Sequence, residues 1–431
     1  MIPERWWQEE SPPVSIRLHP RKHTLFPEFK EKVPWCKTGR YLLERPLFTL
    51  DPHFHAGVYY VQEASSMFLT QLAPLFITRK IVRVLDLCAA PGGKSTLLAE
   101  LLPQDGILVA NEVIRSRVAA LCENMAKWGY ANTVVTNNDA KDFARLPQYF
   151  DAVLVDAPCS GEGMFRKDPE TMKEWSPKVV ALCAERQRRI VADVWETLRP
   201  GGYLIYSTCT FNRLENEENV AWICAHLGAE TCTVQIDPAW GILEQDGCYR
   251  FLPNRIKGEG FFFALLQKHS ASTTSLRKPL RMKKASITST ESTSMMWIEN
   301  GYRCVEKNNL IKAFPTALAS EMLGLETLLR VVQSGVAVAH HRGVDSVPDA
   351  DLALSPVLLP HVFPVAEVDL ITARRYLARE SLAPQEMPTG YVLIQYQGSR
   401  LGFCKNIGSR INNLYPQARR IRMGINECHS K

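Results

Sequence analysis

Phe150-Asp151-Ala152-Val153-Leu154-Val155-Asp156-Ala157-Pro158-Cys159-Ser160-Gly161 is a short, apolar, β-rich run that empties into small polar residues. Tyr203-Leu204-Ile205-Tyr206-Ser207-Thr208-Cys209-Thr210 does the same further along the chain. Apolar runs without polar alternation are expected of parallel strands covered on both faces. The loops that follow such strands lie at the carboxyl edge of the sheet, where doubly wound folds bind their ligands. The two stretches therefore deliver two thiols, Cys159 and Cys209, and the Asp156 carboxylate to one edge of one sheet.

The chain on the N-terminal side supplies the rest of that sheet. From Ile81 the pattern alternates strand and helix, which predicts an α/β fold with a mostly parallel sheet. Val82 to Leu87 reads as the first strand, Cys88-Ala89-Ala90-Pro91-Gly92-Gly93-Lys94 as a loop, and Ser95 to Leu102 as a helix. Small residues and glycines let a ligand approach the backbone, and the helix start offers unpaired N–H groups. The loop has neither the dinucleotide G-x-G-x-x-G nor the P-loop spacing. A second strand, Gly106 to Asn111, ends at Glu112, where a carboxylate can accept from both ribose hydroxyls of a nucleoside. The competing reading makes Glu112 a cap for the next helix. A third strand, Asn132 to Thr136, leads to Asp139, placed to meet an adenine amino group. Arg250 to Leu252 and Gly260 to Leu266 read as antiparallel strands that close the sheet.

The 431 residues suffice for two to three domains at roughly 150 residues each, and 46% hydrophobic with 22% charged residues is ordinary for globular chains. No apolar run approaches the ~20 residues that cross a bilayer, and Met1 to Glu10 lacks a basic and an apolar leader region, so a cytoplasmic protein without a membrane partner is expected. Twelve cysteines without Cys-x-x-Cys or Cys/His ligand spacing exclude a disulfide framework and a metal site from the expectation. The formal charge of +6 is unevenly placed. Pro13 to Arg40 holds seven Lys or Arg against two Glu, Lys268 to Lys284 holds six and no acid, and Arg400 to Arg422 holds six and no acid. Cations gathered in this way suit a surface that tracks phosphates.

The expected domain order is an N-terminal accessory unit over 1–70, basic and aromatic with Trp6, Trp7, Trp35, Tyr41 and Phe48; a catalytic domain over 71–268; and a Ser/Thr/Lys-rich linker over 269–294. A middle α+β domain over 295–380 and a small β-barrel with a basic aromatic edge over 381–431 follow. His340-His341 would point apart on a strand without a Cys or acid partner and reads as surface.

These residues resemble a known family, the Sun-type RNA cytosine-C5 methyltransferases. The resemblance rests on the Cys88 to Lys94 loop, Asp-Ala-Pro-Cys-Ser-Gly and Ser-Thr-Cys-Thr, intact and in order. Gln62-Glu63-Ala64-Ser65-Ser66, Gly161-Glu162-Gly163 with Arg166-Lys167-Asp168-Pro169, and Gly408 to Pro416 are similar to the bacterial RsmF branch, which modifies 16S ribosomal RNA and carries a PUA-like RNA-binding domain. The resemblance implies a Rossmann-like class I methyltransferase sheet using S-adenosylmethionine, held by Cys88, Ala89, Ala90, Pro91, Gly92, Gly93, Lys94, Glu112, Asp139 and Asp156. It also implies RNA, 16S or the small subunit, as partner of a monomer. Carbon 5 of cytosine is a poor nucleophile until a thiolate adds to carbon 6. By similarity Cys209 is that nucleophile, Cys159 assists its release, Asp156 meets the cytosine ring nitrogen, and Lys94 helps hold the base. The alternatives are a tRNA cytosine-C5 methyltransferase, a methyltransferase acting on an exocyclic amine, and a non-catalytic RNA-binding assembly factor. Asp-Ala-Pro-Cys in place of Asn/Asp-Pro-Pro-aromatic argues against the amine enzyme, and the presence of both thiols argues against the assembly factor.

Overall fold

The computed structural model describes residues 11–22, 31–78, 80, 82–269, 296–343, 345–383 and 387–424. Trp6, Trp7 and the expected linker Ser270 to Ser294, with the cations Arg277, Lys278, Arg281, Lys283 and Lys284, lie outside the described residues.

The centre is one ten-stranded sheet. Its parallel part comprises β1 (Arg83–Asp86), β2 (Ile107–Asn111), β3 (Thr133–Thr136), β4 (Phe150–Asp156) and β5 (Leu198–Thr208), in the order β3-β2-β1-β4-β5. Antiparallel strands β6 (Ala229–Cys232), β7 (Leu243–Gln245), β8 (Cys248–Phe251) and β9 (Phe261–Lys268) extend it beyond β5, with β9 against β5. At the opposite edge β10 (Val331–Ser334) pairs antiparallel with β3. This strand was not legible in the sequence. It covers a sheet edge whose N–H and C=O groups would otherwise lie unpaired.

Both faces of the parallel strands are buried, as their apolar runs require. Val84, Leu108, Ala110, Ala152, Leu154 and Ile205 enter one hydrophobic cluster, while Leu85, Ile107, Val109, Val153, Val155 and Leu204 enter the other. That split is the alternation of a pleated strand between two covered faces. Helices α1 (Gly93–Leu101), α2 (Arg115–Trp128), α3 (Pro177–Val194) and α4 (Glu217–Leu227) follow strands in turn. Ser176 caps α3 by accepting from the Val179 N–H with Pro177 at the first position, and Gly129 ends α2 in the left-handed region at φ 80°.

Before the sheet, Val14–Leu18, Gly39–Leu42 and Tyr59–Val61 form a three-stranded antiparallel sheet. After it, two four-stranded sheets follow, 302–348 and 365–413. His340 and His341 differ from the reading of a pair without acid partners. The hairpin brings His340 Nε2 to 2.8 Å from Asp349 Oδ2, and His341 Nε2 lies 3.6 Å from Glu306 Oε2. Cross-strand register supplied neighbours that sequence distance hides; His340 is exposed and the other three partners are half-buried.

The N-terminal segment also grips the C-terminal sheet. His53 Nδ1 lies 3.0 Å from Ser399 Oγ, and His55 Nδ1 lies 3.2 Å from the Tyr415 hydroxyl while its Nε2 lies 2.8 Å from the Thr49 carbonyl oxygen. Nε2–H donating to Thr49 and Nδ1 accepting from Tyr415 fixes a neutral imidazole. Burial, then the nearby Lys127 charge, pulls its pKa down from 6.5 to about 4. The unfolded chain takes up a proton near 6.5 and the folded chain near 4, so stability present above 6.5 is lost as pH falls between them. From about pH 7.5 to about pH 5 the expected loss from this residue is roughly 1–2 kcal/mol. Denaturant melts should show His55→Gln narrowing the gap in stability between the two pH values, and an unchanged gap would remove His55 from the interface account.

Candidate active site

The pairing of β4 with β5 puts Asp156 beside Ser207, and the Ala157 N–H donates to the Ser207 carbonyl at 2.8 Å. The loops leaving these strands then stay together, and Cys159 Sγ lies 3.2 Å from Cys209 Sγ. Both cysteines are half-buried. Asp156 closes the group: its Oδ2 accepts from Lys94 Nζ at 2.8 Å and its Oδ1 from Ser207 Oγ at 2.7 Å. Lys94 sits in the first turn of α1, and its ammonium lies 5.3 Å over the Phe261 ring.

The surroundings of the two thiols differ. A hydrogen bond from Cys159 draws the Cys209 pKa down; burial and Asp156 oppose this, and the Lys94 ammonium adds to it. The same bond, then burial, then the Cys209 and Glu215 charges push the Cys159 pKa well up. The geometry thus favours a Cys209 thiolate accepting from a Cys159 thiol. Burial works against the Lys94 charge, but Asp156 holds its pKa above the ordinary value. The third thiol nearby, Cys88, is pushed up by burial and by Asp86, Asp156 and Glu112, which leaves it inert.

The Cys88 to Lys94 loop is held from α2: Arg117 donates to the Ala90 carbonyl at 2.7 Å and Asn124 to that of Pro91 at 2.9 Å. Gly92 takes φ 116°, a conformation side chains rarely adopt, and turns the chain into α1. Glu112 lies just ahead of α2. Its Oε1 accepts from the Ile114 N–H at 2.8 Å, whereas its buried Oε2 has no hydrogen bond and lies 3.3 Å from Arg117 Nη1. Asp139 is exposed and caps the short helix 140–145 in a reciprocal box with Asp142.

Sequence reasoning passed over Asp86, at the end of β1. Its Oδ2 accepts from Ser95 Oγ at 2.6 Å, its Oδ1 is buried without a partner, and burial raises its pKa to about 7. Asp86 thus places a buried acceptor oxygen without a hydrogen bond, and Glu112 one that meets only the Arg117 ion pair, at neighbouring strand ends. A nucleoside with two ribose hydroxyls and an amino-acid ammonium offers the donors that such oxygens need, so the site fits S-adenosylmethionine. The signal for Asp86 was its place at a strand end, the same argument applied to Glu112.

Two other carboxylates shape the thiol loops. Glu162, buried, accepts from the Phe211 N–H at 3.1 Å and from Trp175 Nε1 at 3.0 Å. Glu63, in the Gln62 to Ser66 stretch, accepts from the N–H groups of Ser65, Ser66 and Glu259 at 2.9, 3.0 and 2.8 Å. Next to Glu259, the Gly260 backbone packs against that of Gly163, whose N–H donates to the Cys209 carbonyl at 2.8 Å.

A family model described as 16S rRNA methyltransferase RsmB/F matches residues 77–267. The N-terminal domain of 16S rRNA methyltransferase RsmF matches 6–64, and the methyltransferase RsmF PUA domain matches 363–421. The ribosomal RNA small subunit methyltransferase F of Salmonella agona is 35% identical over 412 residues, covering 89% of this chain and 84% of that protein. Its counterpart from Cronobacter sakazakii is 34% identical over 413 residues, covering 89% and 83%. Among solved structures, a methyltransferase homolog protein from Pyrococcus horikoshii is similar with a TM-score of 0.50 and 27% identity, over 60% of this chain and 88% of that one.

A Cβ at Gly163 would lie 2.7 Å from both the Cys209 and the Gly260 carbonyl oxygens, which are backbone and cannot swing aside. Gly163→Ala should therefore push the Cys209 loop from its place, lowering stability by about 1–3 kcal/mol and slowing methyl transfer. Denaturant melts and turnover matching the parent would show that the two backbones part without cost.

Proposed function

This chain belongs to the 16S rRNA methyltransferase RsmB/F family, and from that premise we propose that it forms 5-methylcytosine in small-subunit ribosomal RNA through a covalent Cys209 adduct. It is a methyltransferase, and S-adenosylmethionine is its methyl donor. The observation that carries the finer reading is the 3.2 Å approach of two thiols at neighbouring strand ends, with Lys94 acting on Cys209 and Glu215 on Cys159. Methylation of an exocyclic amine needs no thiol, and a binding protein needs neither.

Each residue then has a task. Cys209, held toward the thiolate, adds to carbon 6 of the cytosine and leaves carbon 5 enamine-like. Asp156, already tied to Lys94 and Ser207, faces the ring nitrogen and accepts a hydrogen bond from it once that nitrogen has taken a proton from water. Lys94 neutralises charge between Asp156 and Cys209. When bound, S-adenosylmethionine supplies an electrophilic sulfonium methyl to carbon 5. The carbon 5 proton then passes to a base, the carbon 5–carbon 6 double bond re-forms, and the sulfur–carbon bond breaks to return the Cys209 thiolate. The Cys159 S–H beside that sulfur stabilises it as it departs. Cys88 to Lys94, Glu112, Asp139, Asp156 and the free oxygen of Asp86 are assigned to the cofactor. The three basic stretches are assigned to RNA, bound by a cytoplasmic monomer.

Cys209→Ala should abolish methyl transfer and leave no protein–RNA complex. Cys159→Ala should still allow attack and methylation but stall at release, giving a slow, protease-sensitive band on a denaturing gel, and the double variant should lose it. A band from Cys209→Ala alone would reverse the roles; no band from either, with turnover kept, would end the covalent reading. Glu112→Ala should weaken S-adenosylmethionine binding by about 1–3 kcal/mol, since hydrogen bonds to a charged acceptor are lost. Calorimetry settles that, with equal affinity excluding Glu112 from the cofactor site.

A further inference from the structure

We propose that Glu215 is the positioning residue for Cys159: it clamps the two thiol loops together and keeps Cys159 in the protonated form that release requires. The assignment rests on the covalent reading for its consequence, but its geometry stands independently.

Glu215 lies between β5 and α4 and is completely buried. Its Oε1 accepts from Ser160 Oγ, and its Oε2 accepts from the Ser160 N–H and from Gln187 Nε2, both at 2.9 Å. Its backbone carbonyl accepts from the Tyr206 hydroxyl at 2.6 Å. Ser160 follows Cys159, and Ser160 Oγ lies 3.0 Å from Oγ1 of Thr210, which follows Cys209. One carboxylate therefore ties together the residues next to both thiols. The 3.2 Å sulfur separation is the result of this clamp together with the strand register.

The clamp also carries charge. Cys159 faces Cys209, Glu215 and Tyr206; Cys209 faces Cys159, Asp156 and Lys94. Glu215 itself is faced by Ser160, Gln187 and, at longer range, Glu162, and burial raises its own pKa. Beyond the Cys209 sulfur itself, the negative charge acting on Cys159 is on Glu215, while the positive charge acting on Cys209 is on Lys94. A carboxylate opposes ionisation of a neighbouring thiol. Three donors for one carboxylate are more than loop attachment needs, since a neutral side chain accepting from the Ser160 and Gln187 N–H groups would hold the loop.

Glu215→Gln separates the two functions. With its amide oxygen in place of Oε2 it still accepts from the Ser160 and Gln187 N–H groups. Its NH2 then donates to Ser160 Oγ, whose proton turns toward Thr210 Oγ1. Shape is kept and charge is removed. In a Cys209→Ser background, where the partner thiol cannot complicate titration, iodoacetamide labelling of Cys159 is followed by peptide mass spectrometry across pH. Addition of Glu215→Gln is expected to lower the labelling midpoint by about one pH unit. An unchanged midpoint in a variant that melts like its parent overturns the charge role. In the otherwise native chain, Glu215→Gln should also accumulate the RNA-linked adduct several-fold. A shifted midpoint without any adduct in any variant would sink the covalent reading and leave Glu215 in place. If Glu215→Gln does not fold, Ser160→Ala is the second test. It cuts the hydroxyl tie alone, so diamide should cross-link Cys159 to Cys209 several-fold more slowly than in the parent. Parent-like cross-linking overturns the positioning.

Discussion

The register that sets Asp156 beside Ser207 is the constraint on which the site depends. Side chains alternate along a strand, so a slip of one residue between β4 and β5 would turn Asp156 away from Lys94 and Ser207 and carry the thiol loops apart. Two features hold the register. Val153, Val155, Leu204 and Tyr206 are fully buried in one cluster, with Leu154 and Ile205 buried on the other face, so a slip would exchange the side chains of two close-packed faces and break their fit. Beyond the strand ends, the Ala157 N–H still donates to Ser207 and the Gly163 N–H to Cys209, which continues the pairing into the loops.

The loops would nonetheless be too irregular to stay fixed without buried carboxylates. Glu162 and Glu63 each sit where several backbone or indole N–H groups converge. Burial raises the Glu63 pKa, and its three N–H donors oppose that rise. Such donors are what make a buried carboxylate tolerable, because an unpaired one would be costly to desolvate. The Glu63 bond to Glu259 has a further effect. It fixes the segment whose Gly260 backbone rests on Gly163, so a residue of the N-terminal unit reaches the Cys209 loop through two backbone contacts.

The parallel strands, the Cys88 to Lys94 loop and the two thiols were legible because each is local: an apolar run followed by small residues announces a strand end. The antiparallel β8 and β9 followed the same signals. Long-range pairings were not legible. Val331–Ser334 is too short to announce that it covers β3, and His340 gains Asp349 only through a hairpin. The roles of Glu63, Glu162 and Glu215 stayed hidden for a related reason. As letters they are surface-type residues, and only the fold reveals that each is enclosed by donors. Asp86 was the exception that strand-end reasoning could have reached.

The N-terminal segment behaves less as an appendage than as the part that joins all others. Arg17, fully buried over the Trp128 ring, donates to Gln62 Oε1 at 2.7 Å and Thr96 Oγ1 at 2.6 Å, which ties the first sheet to α1. His19 and Lys22 bond to the backbone carbonyls of Trp128 and Lys127 at the end of α2, where a helix leaves its last carbonyls unpaired. Leu50, Ala56 and Val58 then share a core with Tyr376, Leu377, Val392 and Leu401 of the C-terminal region. A single stretch thus touches α1, the C-terminal sheet and the Glu259 segment that leads to the thiol loop. A cytosine turned into the pocket leaves its flanking nucleotides outside it. On the proposed function, cations of the N-terminal and C-terminal regions that hold those nucleotides stand at set distances from Cys209, because buried polar and apolar contacts, and not a tether alone, connect them.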